Sequence, residues 1–154
     1  MMLVIDRMKT FGAGLPIVFV GDHNCRENEL PAQQVAKILT NALYLTETEP
    51  QGSWRTYNGW RWRDSEVSTC EALALTVEKR NESRKISKVN GKSKDTSDIL
   101  DDTFYEKCGG PRIDYIYVTP GTRVIDYRTV NDVRTDRKMY PSDHFPVVAT
   151  LVMP

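Results

Sequence analysis

The sequence of 154 residues predicts one α+β domain. Two patterns support this prediction: apolar residues at helical spacing in the first third of the chain, and short apolar, β-rich runs near both ends. The length and the 40% share of hydrophobic residues fit one domain with a moderate core.

The chain opens with residues that are typical of a helix interior. Met2, Ile5 and Met8 follow helical spacing, no capping residue precedes them, and Gly12 and Gly14 end the run. The pattern therefore predicts a chain that begins inside a helix.

A strand and a second helix follow. Pro16–Val20 is predicted as a short buried strand that leads into a turn at Gly21–Asn24. Glu29–Leu43 carries an apolar stripe and is predicted as an amphipathic helix.

The next segment, Gly52–Trp62, is aromatic and bounded by glycine, which predicts either a strand or a rigid surface loop. Its three tryptophans fit a core or rim position, and stacking against a substrate is the alternative. Residues 65–109 then change in character and predict an insertion with a charged centre between Glu78 and Asp95. Within it, Ser97–Tyr105 is predicted as a short capped helix.

The last third is the most β-rich. Ile113–Val118 and Arg123–Val130 are predicted as a hairpin around the turn Thr119–Thr122. Asp114 lies at the entry of the first strand among large apolar residues, where a carboxylate is costly to bury without a cation or a donor. A further apolar, strand-like run follows Phe145.

Charge and cysteine content exclude several classes of protein. The 21 basic and 21 acidic residues cancel, so no global positive field attracts nucleic acid, and a polyanionic substrate would need a local patch or a metal. The 3 cysteines form neither a CxxC pair nor a zinc pattern, which favours reduced thiols. No apolar run is long enough to cross a bilayer, so no membrane partner is expected.

The clearest functional mark is Asp143-His144 at the entrance of the final strand. A carboxylate beside an imidazole can bind a divalent ion and hold a general base, as phosphate-ester hydrolysis requires. Asp22, at the end of the first predicted strand, is expected to converge on the same site.

Three segments carry a family resemblance: GDHN at Gly21–Asn24, RIDYIYV at Arg112–Val118 and SDHFPV at Ser142–Val147. In this order, each against an apolar strand, they resemble the successive C-terminal motifs of the endonuclease/exonuclease/phosphatase superfamily, the deoxyribonuclease-like metal hydrolases. The stretch Trp54–Trp60 resembles the "T-aromatic-x-G-aromatic" motif of many members. The resemblance covers roughly residues 1–64 and 110–154.

The resemblance implies a role for each matching residue. Asp22 would orient or deprotonate the attacking water and contact the metal, and Asn24 would bind the phosphorane oxygens. His144 would lie near the scissile phosphate, and Asp114 would orient its ring. Asp143 would bind the metal or support a ligand. Asn58 and Trp60 would contact the substrate, and the cofactor would be magnesium or manganese.

The resemblance also implies the fold and the extent of the domain. The family fold is a two-sheet sandwich with helices outside, in four layers, and this chain matches its C-terminal half and is expected to be truncated. The metal-binding Asn and Glu and a further catalytic His of the family's first half have no counterpart here. The implied function is a metal-dependent phosphoesterase acting on phosphodiesters or phosphomonoesters, with nucleic acid as one candidate substrate. The alternative is a catalytically incomplete fragment or binding module that requires the missing N-terminal half or self-association.

Structural roles remain as alternatives for some of these residues. Asp22 and Asn24 fit a turn that caps the following helix region, and an isolated His144 would fit a structural histidine. His23 occupies a variable family position and receives no catalytic role. Cys25 has no basic partner nearby and is interpreted as a bystander thiol.

Overall fold

The computed structural model describes residues 2–78, 100–131 and 138–154, with the side chain of residue 2 left out. The helices are α1 (Met2–Phe11), α2 (Leu30–Ala36), α3 (described over residues 69–78) and α4 (Asp102–Lys107), with a 3-10 turn at Ala42–Tyr44. The strands are β1 (Val18–Asp22), β2 (Thr40–Asn41), β3 (Gln51–Gly52), β4 (Asp114–Val118), β5 (Arg123–Thr129) and β6 (Val147–Val152). None of the described helices has the length and apolar character needed to cross a bilayer.

The strands form two separate sheets. The first has the order β1-β4-β2, and the second has the order β3-β5-β6. Ile116 and Val118 of the first sheet share one core with Val124 and Tyr127 of the second. The predicted α+β architecture with two facing sheets is therefore confirmed.

Strand β4 is the central strand of the first sheet. Tyr115 and Tyr117 point to one side, where they pack with Val35 and Leu39 from α2 and the turn after it. The alternate residues point to the inter-sheet core, so that both faces of β4 are covered. This explains why the Asp114–Val118 run is so apolar.

The predicted hairpin is wrong, although both of its strands exist. β4 pairs with β1 and β2, whereas β5 pairs with β3 and β6, and the turn at Thr119–Thr122 carries the chain from one sheet to the other. The apolar residues on both faces of β4 fit the central, covered position that it has in its sheet.

The predicted helix Glu29–Leu43 is too long. Helix α2 ends at Ala36, and Thr40 leaves the helical path to pair with Val118. Asn41 then accepts a hydrogen bond from the Leu43 backbone N–H at 3.1 Å and starts the 3-10 turn. The apolar spacing continues past the helix end because these later residues face the same core.

The first predicted strand exists but is not buried. β1 pairs only with β4 among the described residues, and of its five residues only Phe19 is even partly buried. The strand also extends through Gly21 to Asp22, where a turn was predicted. β1 is thus an exposed edge.

The ends of the predicted insertion at 65–109 belong to the core. Ala72 of α3 and Phe104 of α4 are fully buried in the inter-sheet cluster, and Trp54 meets Phe104 edge-on with ring centroids 5.4 Å apart. The predicted helix Ser97–Tyr105 is found later, over α4, because the Asp101 side chain caps the Phe104 N–H at 2.8 Å. The charged centre, from residue 79 on, lies outside the described residues, and so do the first three residues of the predicted helix, 97–99.

The aromatic segment Gly52–Trp62 is mostly loop, with only its first residue in a strand. Gly52 has φ +82 and lies so close to Thr129 that a Cβ would fall 1.8 Å from the Thr129 carbonyl oxygen. Trp54 is buried in the core, as the core alternative predicts, whereas Trp60 is 61% exposed.

Candidate active site

The antiparallel register of β1 and β4 sets Asp22 directly opposite Asp114. Like charges opposite each other on neighbouring strands destabilise a sheet unless a cation lies between them. The two carboxylates therefore form the base of a site that favours positive charge. Backbone pairing alone joins two residues that are far apart in sequence.

His144 reaches this pair from the loop before β6. Its Nδ1 lies 2.9 Å from Oδ2 of Asp114. The loop is held on both sides of the histidine: the Phe145 N–H donates to the Thr56 carbonyl at 2.7 Å, and the His144 N–H donates to Ser142 Oγ at 3.1 Å. With Asp114 ionised, Nδ1 carries the proton in this contact, and Nε2 is left to exchange protons with another molecule.

The electrostatic surroundings of His144 favour its charged form. Burial alone would lower the pKa of its imidazole, but the hydrogen bond to Asp114 and the charges of Asp114, Asp22 and Asp143 act in the opposite direction and raise the pKa above its ordinary value. A carboxylate in contact with an imidazole has this effect generally.

Asp22, Asp114 and His144 form a cluster in which one ligand atom from each lies within 4.8 Å of the others. Two carboxylates and one imidazole suit a divalent ion, and carboxylate oxygens are the ligands that magnesium and manganese prefer. Because Nδ1 of His144 is bonded to Asp114, the carboxylates offer the freer donor atoms. The residues present therefore fit a divalent cation.

Asn24 is fastened to Asp22 by two hydrogen bonds. Its backbone N–H donates to Oδ1 at 2.8 Å, and its side-chain Nδ2 donates to Oδ2 at 2.9 Å. The residue has φ 48, a left-handed conformation that asparagine tolerates better than most residues. Asn24 thus fixes the orientation of the Asp22 carboxylate, and its contact with phosphate oxygens stays a prediction.

Asp143 is attached to the site through its main chain. Its carbonyl accepts the N–H groups of Asn58 at 2.8 Å and Gly59 at 3.2 Å. In the part of the chain that the structure describes, its carboxylate is outside the cluster of possible metal ligands. The role of Asp143 as a ligand stays a prediction.

Asn58 and Trp60, predicted to contact substrate, have different surroundings. Asn58 is 2% exposed, donates to the Ser142 carbonyl at 2.9 Å and accepts the Trp60 N–H at 2.8 Å, so it braces two loops. Trp60 has φ 62 and presents its ring to solvent next to the site loop. Direct substrate contact by either residue stays a prediction, and the exposed ring of Trp60 is the more accessible of the two.

Thr56 is a positioning residue that the sequence did not single out. Its Oγ1 accepts the backbone N–H groups of Ile113 and Asp114, both at 3.0 Å, while its carbonyl holds Phe145. It therefore connects the strand that carries Asp114 to the loop that carries His144. The "T-aromatic-x-G" stretch contained this residue, but no pattern indicates a buried hydroxyl bonded to backbone.

His23 and Cys25 stand apart from the chemistry. The His23 ring lies among Phe19, Tyr115 and Tyr117, with centroids 4.6, 5.3 and 5.5 Å away, and burial lowers its pKa despite nearby Asp22 and Asp114. Burial, followed by the charge of Glu29, raises the pKa of the Cys25 thiol. Both findings agree with the absence of an assigned catalytic role.

No protein-family model and no curated protein matches this chain. Its fold, however, is found in solved structures. A mannosyl-6-phosphatase from Bacteroides thetaiotaomicron VPI-5482 aligns with TM-score 0.60 and 23% identity over 98% of this chain and 43% of its own.

Two further structures align in the same way. An endonuclease/exonuclease/phosphatase family protein from Bacteroides thetaiotaomicron gives TM-score 0.58 and 22% identity, over 97% of this chain and 42% of its own. A functionally unknown conserved protein from Enterococcus faecalis V583 gives TM-score 0.62 and 19% identity, over 99% and 42%. The predicted resemblance is therefore confirmed at the level of the fold, and the chain spans less than half the length of these structures.

Proposed function

We propose that this chain carries part of the active site of a metal-dependent phosphoesterase. The observation that carries the proposal is the cluster of Asp22, Asp114 and His144, with the 2.9 Å contact between His144 Nδ1 and Asp114 Oδ2. The fold, shared with endonuclease/exonuclease/phosphatase and phosphatase structures, supports the same class of reaction.

Each residue of the cluster has a separate task. Asp22, held by two hydrogen bonds from Asn24, would orient a water molecule and would be one of the residues that hold the cation. Asp114 keeps the imidazole in one orientation, so that Nε2 of His144 donates or accepts a proton at the scissile phosphate. A bound magnesium or manganese ion would supply Lewis acidity and neutralise phosphate charge.

Hydrolysis by the purified chain tests this proposal. With Mg²⁺ or Mn²⁺, p-nitrophenyl phosphate and bis(p-nitrophenyl) phosphate separate monoesterase from diesterase activity. We expect His144→Ala to reduce turnover by about a hundredfold or more, the typical contribution of general acid-base catalysis. Unchanged turnover in His144→Ala would overturn the assignment of the site.

The second candidate is an incomplete site that binds a cation without turnover. The specific observation is that the chain spans only 42–43% of the structures that share its fold. Magnesium binding by calorimetry, lost in Asp22→Asn and unaccompanied by hydrolysis, would favour this candidate.

We further propose that more polypeptide, equivalent to the remainder of those structures, completes the sandwich. Val18 and Val20 are 43% and 59% exposed, and their register partners Val118 and Ile116 face the inter-sheet core. A mainly apolar cleft of about 410 Å³ opens there and reaches His144. Native and denaturing mass spectrometry test the idea: a second polypeptide supports it, a homodimer points to self-association, and a stable monomer contradicts it.

A further inference from the structure

A second cleft adjoins the candidate active site on the side of the aromatic loop. It encloses about 620 Å³ between residues 55–63 and the end of α4. The charged side chains of its lining are four arginines and two carboxylates: Arg26, Arg55, Arg61, Arg63, Asp102 and Glu106. The arginine content is notable in a chain whose net charge is zero.

Two of the four arginines are already neutralised. Arg55 is 2% exposed and forms a two-point contact with Glu66, through Nε at 2.8 Å and through Nη2. Arg26 is paired with Asp102. These pairs build the walls of the cleft and add little net charge to it.

Arg61 and Arg63 provide the unbalanced charge. Among residues 2–78, 100–131 and 138–154, neither has an acidic partner within ion-pair distance. Both are exposed at the cleft, and Glu106 is the carboxylate of the lining that has no ion-pair partner within the described parts of the chain. The described lining of the cleft therefore has a net positive charge, although the chain as a whole has none.

Two hydrogen bonds hold the backbone of Arg61 in place. Arg55 Nη2 donates to the Arg61 carbonyl at 3.2 Å, and the Arg61 N–H donates to the Asn58 carbonyl at 3.0 Å. On the other wall, Arg63 Nη1 lies 3.2 Å from the point that a Cβ on Gly109 would occupy, so the absent side chain leaves room for the guanidinium. A preformed arrangement loses less entropy when it binds an anion.

The cleft continues into the candidate active site through Tyr57. This ring lines the cleft and meets the His144 ring edge-on with centroids 5.1 Å apart. Asn58 and Gly59, which also line it, donate to the Asp143 carbonyl. A molecule with one phosphate at His144 can therefore extend past Tyr57 towards the two arginines.

We propose that this cleft binds a second phosphate group of the substrate, through Arg61 and Arg63. Guanidinium groups form two-point, charge-assisted hydrogen bonds with phosphate oxygens, and two unpaired arginines can enclose one phosphate. The substrate class is then a phosphate ester with at least two phosphates. The identification of this ligand as the substrate rests on the proposed function, whereas the anion site itself does not.

Binding without metal separates this proposal from catalysis. In EDTA, calorimetry with inorganic pyrophosphate, and with inorganic phosphate as the single-phosphate comparison, measures the cleft alone. We expect pyrophosphate to bind more tightly than phosphate, and Arg61→Gln or Arg63→Gln to weaken it about tenfold each. Glu106→Gln should tighten binding, because it removes a negative charge of the lining that no described arginine or lysine balances.

Arg7→Gln is the matched control, since it removes one exposed arginine of α1 outside the cleft and should leave the affinity unchanged. Equal pyrophosphate affinity in wild type and the Arg61→Gln/Arg63→Gln double variant would overturn the proposal, and so would an equal loss in Arg7→Gln. His144→Ala should keep pyrophosphate binding in EDTA. If pyrophosphate still binds but neither the wild type nor any variant hydrolyses an ester, the incomplete-site candidate is favoured over an active phosphoesterase, and the anion site is retained.

A second comparison identifies the source of the phosphates. A short oligothymidylate and a hexose bisphosphate are each measured against the wild type and the double variant. Stronger arginine-dependent binding of the oligonucleotide indicates a nucleic-acid substrate, and stronger binding of the bisphosphate indicates a small phosphorylated metabolite. Arginine-independent binding of both would contradict the proposal.

Discussion

The Thr56 hydroxyl accepts the backbone N–H of Asp114 at 3.0 Å, so a buried side chain holds the start of the strand that carries Asp114 of the candidate site. The same hydroxyl accepts the Ile113 N–H, so two backbone donors depend on one oxygen atom. The ladder to β1 begins at this same position, where Asp114 lies opposite Asp22.

Thr56→Val should therefore destabilise the protein more than Thr56→Ser, which keeps the hydroxyl and loses only a buried methyl group. Valine keeps the shape of threonine but leaves two N–H groups unsatisfied, which costs about 1–3 kcal/mol in the free energy of unfolding. Chemical denaturation measures the difference, and the serine variant is the matched control. Equal stability of the two variants would show that the hydroxyl has no part in positioning Asp114.

Asp114→Asn should lower the pKa of His144. The wild-type pKa is raised although burial opposes it, and the hydrogen bond and charge of Asp114 are the main contributions in that direction. NMR titration of the imidazole protons in EDTA measures this, and with only 2 histidines in the chain the spectrum is simple. An unchanged titration in Asp114→Asn would mean that the 2.9 Å contact does not persist in solution.

This shift also gives stability a pH dependence. Because the folded-state pKa of His144 is raised, the folded protein binds a proton more tightly than the unfolded chain. The resulting stability is fully present below the unfolded-state pKa, near 6.5, and is lost as the pH rises through the folded-state pKa. The Asp114→Asn variant should show a smaller loss in urea denaturation measured from pH 5 to 9, because only the charges of Asp22 and Asp143 still raise the pKa of His144.

Asp22→Asn should abolish the response of the protein to magnesium. The variant removes one of the two carboxylates that lie opposite each other on the strand pair. In the wild type, magnesium at a hundredfold excess over its Kd should add about 2.7 kcal/mol to the free energy of unfolding. Thermal melts with and without magnesium check this effect, and calcium serves as a comparison ion. A magnesium shift of equal size in the variant would exclude Asp22 as a ligand.

His23→Phe should stabilise the protein, and more so at low pH. Both ring nitrogens of His23 are buried without a hydrogen-bond partner among the described residues, and phenylalanine removes these polar atoms while it keeps the ring contacts. The gain should be about 1 kcal/mol at pH 7.5. As the pH falls below 6.5, the unfolded wild-type chain takes up a proton before the folded protein does, since burial lowers the folded pKa, so the advantage of the variant grows.

The comparison isolates His23 because the contribution of His144 is common to both proteins and cancels. Denaturation at pH 5 and 7.5 provides the two values. A constant difference between wild type and variant at both pH values would contradict a neutral, buried His23.

The sequence predicted the strands better than their partners. The apolar residues of β4 and β5 identified both strands, but the turn at Thr119–Thr122 looks the same whether it closes a hairpin or carries the chain to another sheet. The two cases differ in the strands that β4 and β5 pair with, and those strands are far away in sequence. Helix α2 was overextended for a related reason, because apolar spacing reports which side faces the core and not where helical hydrogen bonding stops.

At the candidate site, the order of motifs predicted Asp22, Asp114 and His144, which the fold brings together. Thr56 and Arg55 were missed. Thr56 accepts hydrogen bonds from backbone N–H groups and Arg55 pairs with Glu66, and neither kind of contact produces a periodic pattern in the sequence. Asn58 was predicted from a motif as a substrate contact. Its buried amide is hydrogen-bonded to the loop that contains it and to the Ser142 carbonyl, so a motif residue can also stabilise loop structure.

The two carboxylates of the cluster belong to strands that differ greatly in their exposure to solvent. Asp114 begins β4, which is enclosed on both faces, whereas Asp22 ends the exposed edge strand β1. Amide hydrogens in an enclosed strand exchange only when large parts of a protein open, while those at an edge exchange through small local openings. The strand that carries Asp114 would then open rarely and the strand that carries Asp22 often. The lifetime of an ion bound between them would be set by the opening of β1. A segment that covered β1 would lengthen that lifetime without touching the ion.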